Sequence, residues 1–182
     1  MAINQFEAFA LCIVVFLVLE FYFPREGSEN NNDNWLINYG LYLVVLIARP
    51  LAAPILIIFT DIVSYQPSAA WNLLPAPVTL FVAILVIDLF IYWQHRIFHS
   101  VTFLWRSHLV HHSDTEMNVS TNFRHHPIEY VISSIFLTVV LFILKLPEYT
   151  LVAYFFLSAA ISLWHHSEIK YLPLLEKVLQ PI

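Results

Sequence analysis

Charged residues are scarce in this sequence. They make up 12% of its 182 residues, while 59% are hydrophobic. An ordinary soluble domain is about a quarter charged and under half apolar. A single water-facing fold cannot hide this much apolar surface, so the composition argues against a soluble globular protein.

Cysteine and clustered positive charge are also nearly missing. The one cysteine, Cys12, has no partner within the chain, which excludes an intrachain disulfide framework and a cysteine-based zinc site. The eight Lys and Arg residues are scattered and the net charge is −5. Without a basic stripe to contact phosphates, nucleic acid is not an expected partner.

Long apolar runs are present instead, and a helix needs about 20 mostly apolar residues to cross a bilayer. The candidate runs are residues 3–23, 36–60, 78–94, 130–144 and 148–164. The second is broken at Arg49-Pro50 and Pro54, which favours a kinked span, and the last two form a hairpin around a Pro-containing turn. We therefore predict an all-α, multi-pass transmembrane helical bundle.

The division along the chain follows the histidines, all nine of which lie between positions 95 and 166. Residues 1–77 are predicted to form N-terminal spans and loops, and residues 78–182 a histidine-bearing catalytic region. The predicted histidine-bearing face also carries most of the Lys and Arg residues, whereas the opposite face has Lys145. By the positive-inside rule, a histidine-rich helical cap faces the cytosol.

The histidine spacing indicates metal binding. His95 and His99 are four residues apart, and His108, His111 and His112 follow an i, i+3, i+4 pattern, so each set shares one helical face. Five histidines exceed the three or four ligands of one zinc ion, which favours two metals, although spacing does not identify them. His125-His126 and His165-His166 add candidates, and one member of each pair is expected to be a ligand because helical neighbours point about 100° apart.

Several polar residues are candidates for supporting roles. Asp88 shares a helical stripe with Tyr92 and His95, where its carboxylate would accept the second N–H of a ligand histidine; the alternative is a salt bridge to Arg49. Arg96 either counters an anionic headgroup or extends to the membrane interface, and Glu129 is either an outer acceptor or a helix N-terminal charge.

These motifs together resemble the fatty acid hydroxylase/sterol desaturase superfamily of membrane di-iron oxygenases. The resemblance rests on Asp88-x3-Tyr92-x2-His95-Arg96-x2-His99, on His108-x2-His111-His112, on the segment from Arg124 to Glu129 (RHHPIE), and on Trp164-His165-His166-Ser167. It implies metal ligands at His95, His99, His108, His111, His112, His126 and His166. We place Asp88, Tyr92, Arg96 and Glu129 next to these ligands, as supporting residues of the catalytic site. His125 and His165 occupy positions where the superfamily does not need histidine.

The resemblance also implies an activity. Two iron ions would use O2 to hydroxylate or desaturate a lipid taken from the bilayer, with electrons from an external donor such as a reductase, a cytochrome b5-like protein or a ferredoxin-like protein. Two departures stand out: Glu168 replaces the usual Asn, and the superfamily's last histidine box would follow residues 175–181, where this sequence ends. We therefore expect a partial member in which at least one metal lacks ligands.

Two other functions would use histidines differently. A bis-histidine haem electron carrier needs facing histidines deep within two spans, and a divalent-metal transporter places its ligands near the bilayer midplane. The histidines here cluster at and beyond the ends of the predicted spans, which favours the oxygenase.

Overall fold

The computed structural model describes residues 5–25, 34–52, 66–115 and 117–170. These residues contain six α-helices and no β-strand, which confirms the all-α prediction. The helices are α1 (Gln5–Tyr22), α2 (Trp35–Ala48), α3 (Ala76–Ser100), α4 (Thr102–His112), α5 (Pro127–Leu144) and α6 (Glu148–His166). Short 3-10 helices cover Arg49–Ala52, Ala69–Leu73 and Val119–Phe123.

Two of these helices, α3 and α5, are long and apolar enough to cross a membrane. Pro75 precedes α3 and Pro127 opens α5, both positions where the missing N–H costs nothing. At 25 residues, α3 is about 37 Å long and exceeds a hydrocarbon core of about 30 Å. It therefore continues without a break from its apolar segment into His95 and His99, as the sequence predicts.

The second apolar run changes conformation where the sequence predicts a break. Helix α2 ends at Ala48 and a 3-10 turn covers Arg49–Ala52. Arg49 keeps helical φ and ψ of −51° and −42°, and its N–H bonds to the Val45 carbonyl. Pro50 has no backbone N–H to continue this pattern, which accounts for the end of the α-helix. The remainder of the predicted span, residues 53–60, lies outside the described residues.

The hairpin of α5 and α6 packs against α3 through a small apolar core. Lys145 adopts a left-handed conformation with φ of 46°, which ends α5 and turns the chain. The next residue, Leu146, is fully buried with Ile87, Ala83 and Tyr154. The turn thus sets how α5 and α6 lie on α3, far from the histidine-bearing ends.

Helix α1 is fastened to the rest of the fold by Glu20. Its carboxylate accepts hydrogen bonds from the backbone N–H groups of Val119, at 3.1 and 3.2 Å, and Glu168, at 2.8 Å. An isolated antiparallel bridge joins Pro24 to Ile169 just beyond. One carboxylate therefore links α1 to the loop before α5 and to the segment after His166.

A buried amide fastens α2 to the same loop. The side chain of Asn38 is fully buried and donates to Ser120 Oγ (2.8 Å) and Asp114 Oδ2 (3.0 Å). It also accepts from Nη1 of Arg124 at 3.0 Å. Because every polar atom of Asn38 is satisfied, the network stabilises the segment that leads to the histidines.

We expect Asn38→Leu to lower the free energy of unfolding by about 2–4 kcal/mol, because it leaves several buried partners without their hydrogen bonds. Thermal unfolding of the protein in detergent micelles would measure the loss. Leu36→Ala, at a position that is 84% exposed on the same helix, is the control and should change stability by less than about 0.5 kcal/mol. Equal stability of the two variants would contradict the structural role of this network.

Candidate metal centre

Four histidines from α3 and α4 converge on one point. His95 and His99 bring their Nε2 atoms within 3.0 Å, and His108 and His112 bring theirs within 3.1 Å. One ligand atom from each of the four lies within 4.8 Å of the others. We call this group the four-histidine cluster, and it can hold a metal ion.

The sharp connection between α3 and α4 brings these two pairs together. Val101 is extended and ends α3, and α4 begins at the next residue and packs back against α3. Trp105 fills the outer side of the cluster, with its ring centroid 5.0 Å from that of His99 and 5.6 Å from that of His112. Both pairs are therefore held on facing helical surfaces.

A second histidine group lies beside the first. Nε2 of His111 is 3.1 Å from Nε2 of His166, and the rings of His111 and His125 stack in parallel at 4.9 Å. Hairpin parity in the sequence predicts that the end of α6 returns to this face, and His166 does so. We call His111, His125 and His166 the second histidine group.

Hydrogen bonds to the Nδ1 atoms of His111 and His166 assign the tautomers of these two rings. Nδ1 of His111 lies 3.2 Å from the Arg124 carbonyl, and Nδ1 of His166 lies 2.7 Å from the Ser162 carbonyl. Since a carbonyl oxygen only accepts, each Nδ1 carries the hydrogen and each Nε2 presents a lone pair in the neutral ring.

The two Nε2 atoms then face each other as lone pairs at 3.1 Å. A cation between or beside them removes that repulsion, and a histidine whose other N–H is hydrogen-bonded is the usual metal ligand. The donor chemistry of the second group therefore fits a metal ion. His108 has the same arrangement, because its Nδ1 donates to a carboxylate oxygen of Glu129 at 2.8 Å.

Glu129 lies between the two groups. The oxygen that accepts from His108 is also 3.4 Å from Nδ1 of His125. The other oxygen, Oε2, is shielded from solvent and has no hydrogen-bond partner among the described residues. An unpaired buried carboxylate oxygen next to clustered imidazoles fits a site that takes a cation.

Burial favours the neutral form of two of these imidazoles, His111 and His112. Burial lowers the pKa of His111 to about 3, with further lowering by His125 and His166. Burial, followed by the charges of His108 and His99, also lowers the pKa of His112. Neutral imidazole is the form that binds metal.

Two of the predicted site residues lie elsewhere than the sequence pattern predicts. Asp88 is exposed, makes no hydrogen bond to a histidine within the described part of the chain, and interacts electrostatically with Tyr154. Seven residues place it about 10 Å along the helix from His95, too far for its carboxylate to reach the ring. It also forms no ion pair with Arg49 within the same residues.

The other is His126, which caps α5. Its Nδ1 accepts from the backbone N–H of Ile128 at 3.1 Å, so the neutral ring carries its hydrogen on Nε2. The structure instead brings the neighbouring His125 to His111. The signal in the sequence is Glu129, four residues after His125, whose carboxylate oxygen lies 3.4 Å from Nδ1 of His125.

Tyr92 and Arg96 form a surface pair near the cluster. Nη1 of Arg96 donates to the Tyr92 hydroxyl at 2.9 Å, and the guanidinium lies over the rings of Tyr92 and Trp93 at 5.7 and 5.6 Å. Neither residue hydrogen-bonds to a histidine in the described residues. Tyr92 and Arg96 therefore find their polar partners in each other, at the exposed end of α3.

Sequence comparisons relate the chain to known proteins. The sequence model of the family described as Fatty acid hydroxylase matches residues 80–181. The chain is 32% identical over 95 residues to alkylglycerol monooxygenase of Homo sapiens, which covers 52% of this chain and 21% of that protein. It is 31% identical over 91 residues to alkylglycerol monooxygenase of Danio rerio, covering 50% and 20%.

The chain thus spans about a fifth of the length of these curated relatives. No solved structure matches it significantly.

We expect Co2+ to bind the four-histidine cluster and to show d–d absorption bands when bound. His99→Ala should weaken that binding by at least about tenfold, because it removes one ligand atom. Optical titration of the purified protein measures both. His165→Ala is the matched control, since His165 is exposed and belongs to neither group. Equal Co2+ affinity of the two variants would contradict the assignment.

Proposed function

The chain belongs to the fatty acid hydroxylase family, and from this premise we propose that it acts as a membrane-bound di-iron oxygenase that hydroxylates or desaturates a lipid with O2. The observation that carries the proposal is the pair of adjacent histidine groups joined through Glu129. One group would hold one iron ion and the second group the other.

The metals account for chemistry that side chains cannot perform. Bound iron supplies O2-dependent attack on an unactivated C–H bond, beyond the reach of acid–base catalysis by amino acids. The proximity of the groups supports a shared centre, because His108 and His111 stack with centroids 5.9 Å apart.

The protein's own residues hold this centre in position. The carbonyls of Arg124 and Ser162 fix the rings of His111 and His166 by accepting their Nδ1 hydrogens. Glu129 does the same for His108. Such outer partners orient ligand rings and raise their basicity.

The location of the site supports a lipid substrate. The histidine groups lie at the ends of α3 and α6, and α3 and α5 are apolar helices long enough to cross a bilayer. A lipid would reach the site sideways from the membrane, while an external reductase, cytochrome b5-like or ferredoxin-like donor would deliver electrons at the polar face. We propose that this face is cytosolic and that the chain crosses the membrane several times.

The activity is tested with 18O2. We expect the purified, iron-loaded protein, given a lipid and an electron donor, to yield a lipid with incorporated 18O or a new double bond, detected by mass spectrometry. His111→Ala should reduce turnover by about 100-fold or more because it removes a ligand. His165→Ala should retain it. Undiminished turnover in His111→Ala would overturn the ligand assignment.

Glu129→Gln tests the connection between the groups. The amide keeps the size of the carboxylate but loses its charge, so we expect weaker iron binding, by about 10-fold or more, and an altered Mössbauer signature. Glu129→Asp should restore part of the affinity because it restores the charge. An iron content and spectrum identical to those of the unmodified protein would contradict this role for Glu129.

A further inference from the structure

A groove beside the second histidine group runs along α2. It encloses about 280 Å³, at the low end of the volumes of small-molecule sites. Its lining residues are Tyr42, Val45, Leu46, Arg49, Asn122, Phe123, His125 and Tyr130. A groove of this size has room for a segment of one hydrocarbon chain.

The α2 side of the groove is a single helical face. Its four lining residues, from Tyr42 to Arg49, are spaced i, i+3, i+4 and i+7. Seven residues of helix correspond to about 10 Å along the axis. The tyrosine lies near one end of the groove, where its ring is 5.0 Å from that of Phe123, and Arg49 lies toward the other.

Arg49 carries the one formal positive charge of this lining. Its side chain is exposed, and it makes no hydrogen bond or ion pair within the described ranges of the chain. It follows an apolar helix, where a guanidinium needs an anionic or hydrogen-bonding partner. Guanidinium pairs best with the planar or tetrahedral oxygens of carboxylate and phosphate, through two parallel hydrogen bonds.

The groove also reaches the second histidine group. His125 lines it, and the ring of His125 stacks on that of His111. The apolar side chains of Val45, Leu46 and Phe123 line it too, and we call them the apolar stretch. One groove therefore combines a cation, an apolar stretch and a histidine of the second group.

We propose that this groove binds a single-chain lipid by an anionic end group, a carboxylate or a phosphate, which pairs with Arg49. The hydrocarbon chain lies along the apolar stretch and passes His125. This inference rests on the proposed function and names its substrate class. Arg49 selects the charged end and thereby sets which part of the chain comes to the histidines.

Photolabelling tests the proposal without any turnover. The probes are a fatty acid with a mid-chain diazirine, the corresponding alkyl phosphate, the uncharged alkylglycerol of the same chain, and an anionic two-chain phospholipid with the same diazirine. Each is added to the protein in phosphatidylcholine nanodiscs, and labelled peptides are identified by mass spectrometry. We expect the fatty acid and the alkyl phosphate to label peptides of α2 and of the start of α5 at least about tenfold more than the other two probes.

Three variants locate the interaction. Arg49→Gln should reduce labelling by the anionic single-chain probes about tenfold or more, and Arg49→Lys should retain part of it. Arg106→Gln removes the same charge from an exposed position on α4 outside the groove and should change nothing. Leu46→Trp fills the apolar stretch and leaves Arg49 in place. It should also reduce labelling by the fatty acid and the alkyl phosphate. Circular dichroism verifies that each variant is folded.

Equal labelling by the fatty acid and the alkylglycerol, or unchanged labelling in Arg49→Gln, would overturn the proposal. Equal labelling by the two-chain phospholipid would also overturn it, because the groove would then hold a bilayer lipid. Arg49-dependent labelling in a protein that fails the 18O2 assay would refute the proposed oxygenase and leave the binding site standing. Turnover without Arg49-dependent labelling would refute the binding site alone.

Discussion

The site depends on imidazole rings whose Nδ1 atoms are hydrogen-bonded to the protein and whose Nε2 atoms face one another. His111 and His166 show this most clearly, because each Nδ1 meets a backbone carbonyl and the two Nε2 atoms are left 3.1 Å apart. Without a cation this contact is repulsive, since both atoms present lone pairs. This arrangement of the rings therefore fits a bound cation.

The rest of the polar interior keeps those acceptors in place. The carbonyl that meets His111 belongs to Arg124, whose guanidinium bonds to the buried Asn38 and to the carbonyl of Val110. The charged side chain therefore braces its own backbone against both α2 and α4. Glu129 adds the connection between the two histidine groups. Helices that contribute no histidine, such as α2, are thus part of the support for the site.

The sequence is most informative about the site where one helix carries the whole pattern, and least informative where separate segments must meet. The i, i+4 spacing of His95 and His99 is enough to place both rings on one face, and the long apolar run before them predicts the helix that carries them. The choice between His125 and His126 is different, because it depends on which ring caps α5 and which stacks on a residue of another helix. Local spacing does not contain that information.

Asp88 and Arg49 illustrate the same limit. A helical stripe predicts that Asp88 and His95 point in similar directions, but two turns of helix separate them along the axis. Arg49 is conspicuous in the sequence as a charge in an apolar run, yet its place in a groove with His125 follows from the packing of α2 against the loop and α5. The sequence predicts the direction in which a side chain points around a helix. It does not predict how far apart two side chains lie along the axis, or which residue of another helix each one contacts.

The attachment of α1 through Glu20 has a mechanical consequence. One carboxylate holds the backbone amides of Val119 and Glu168, and the second of these lies two residues beyond His166. Any displacement of α1 is therefore transmitted to both amides together, and the contact with Glu168 carries it to the backbone next to His166.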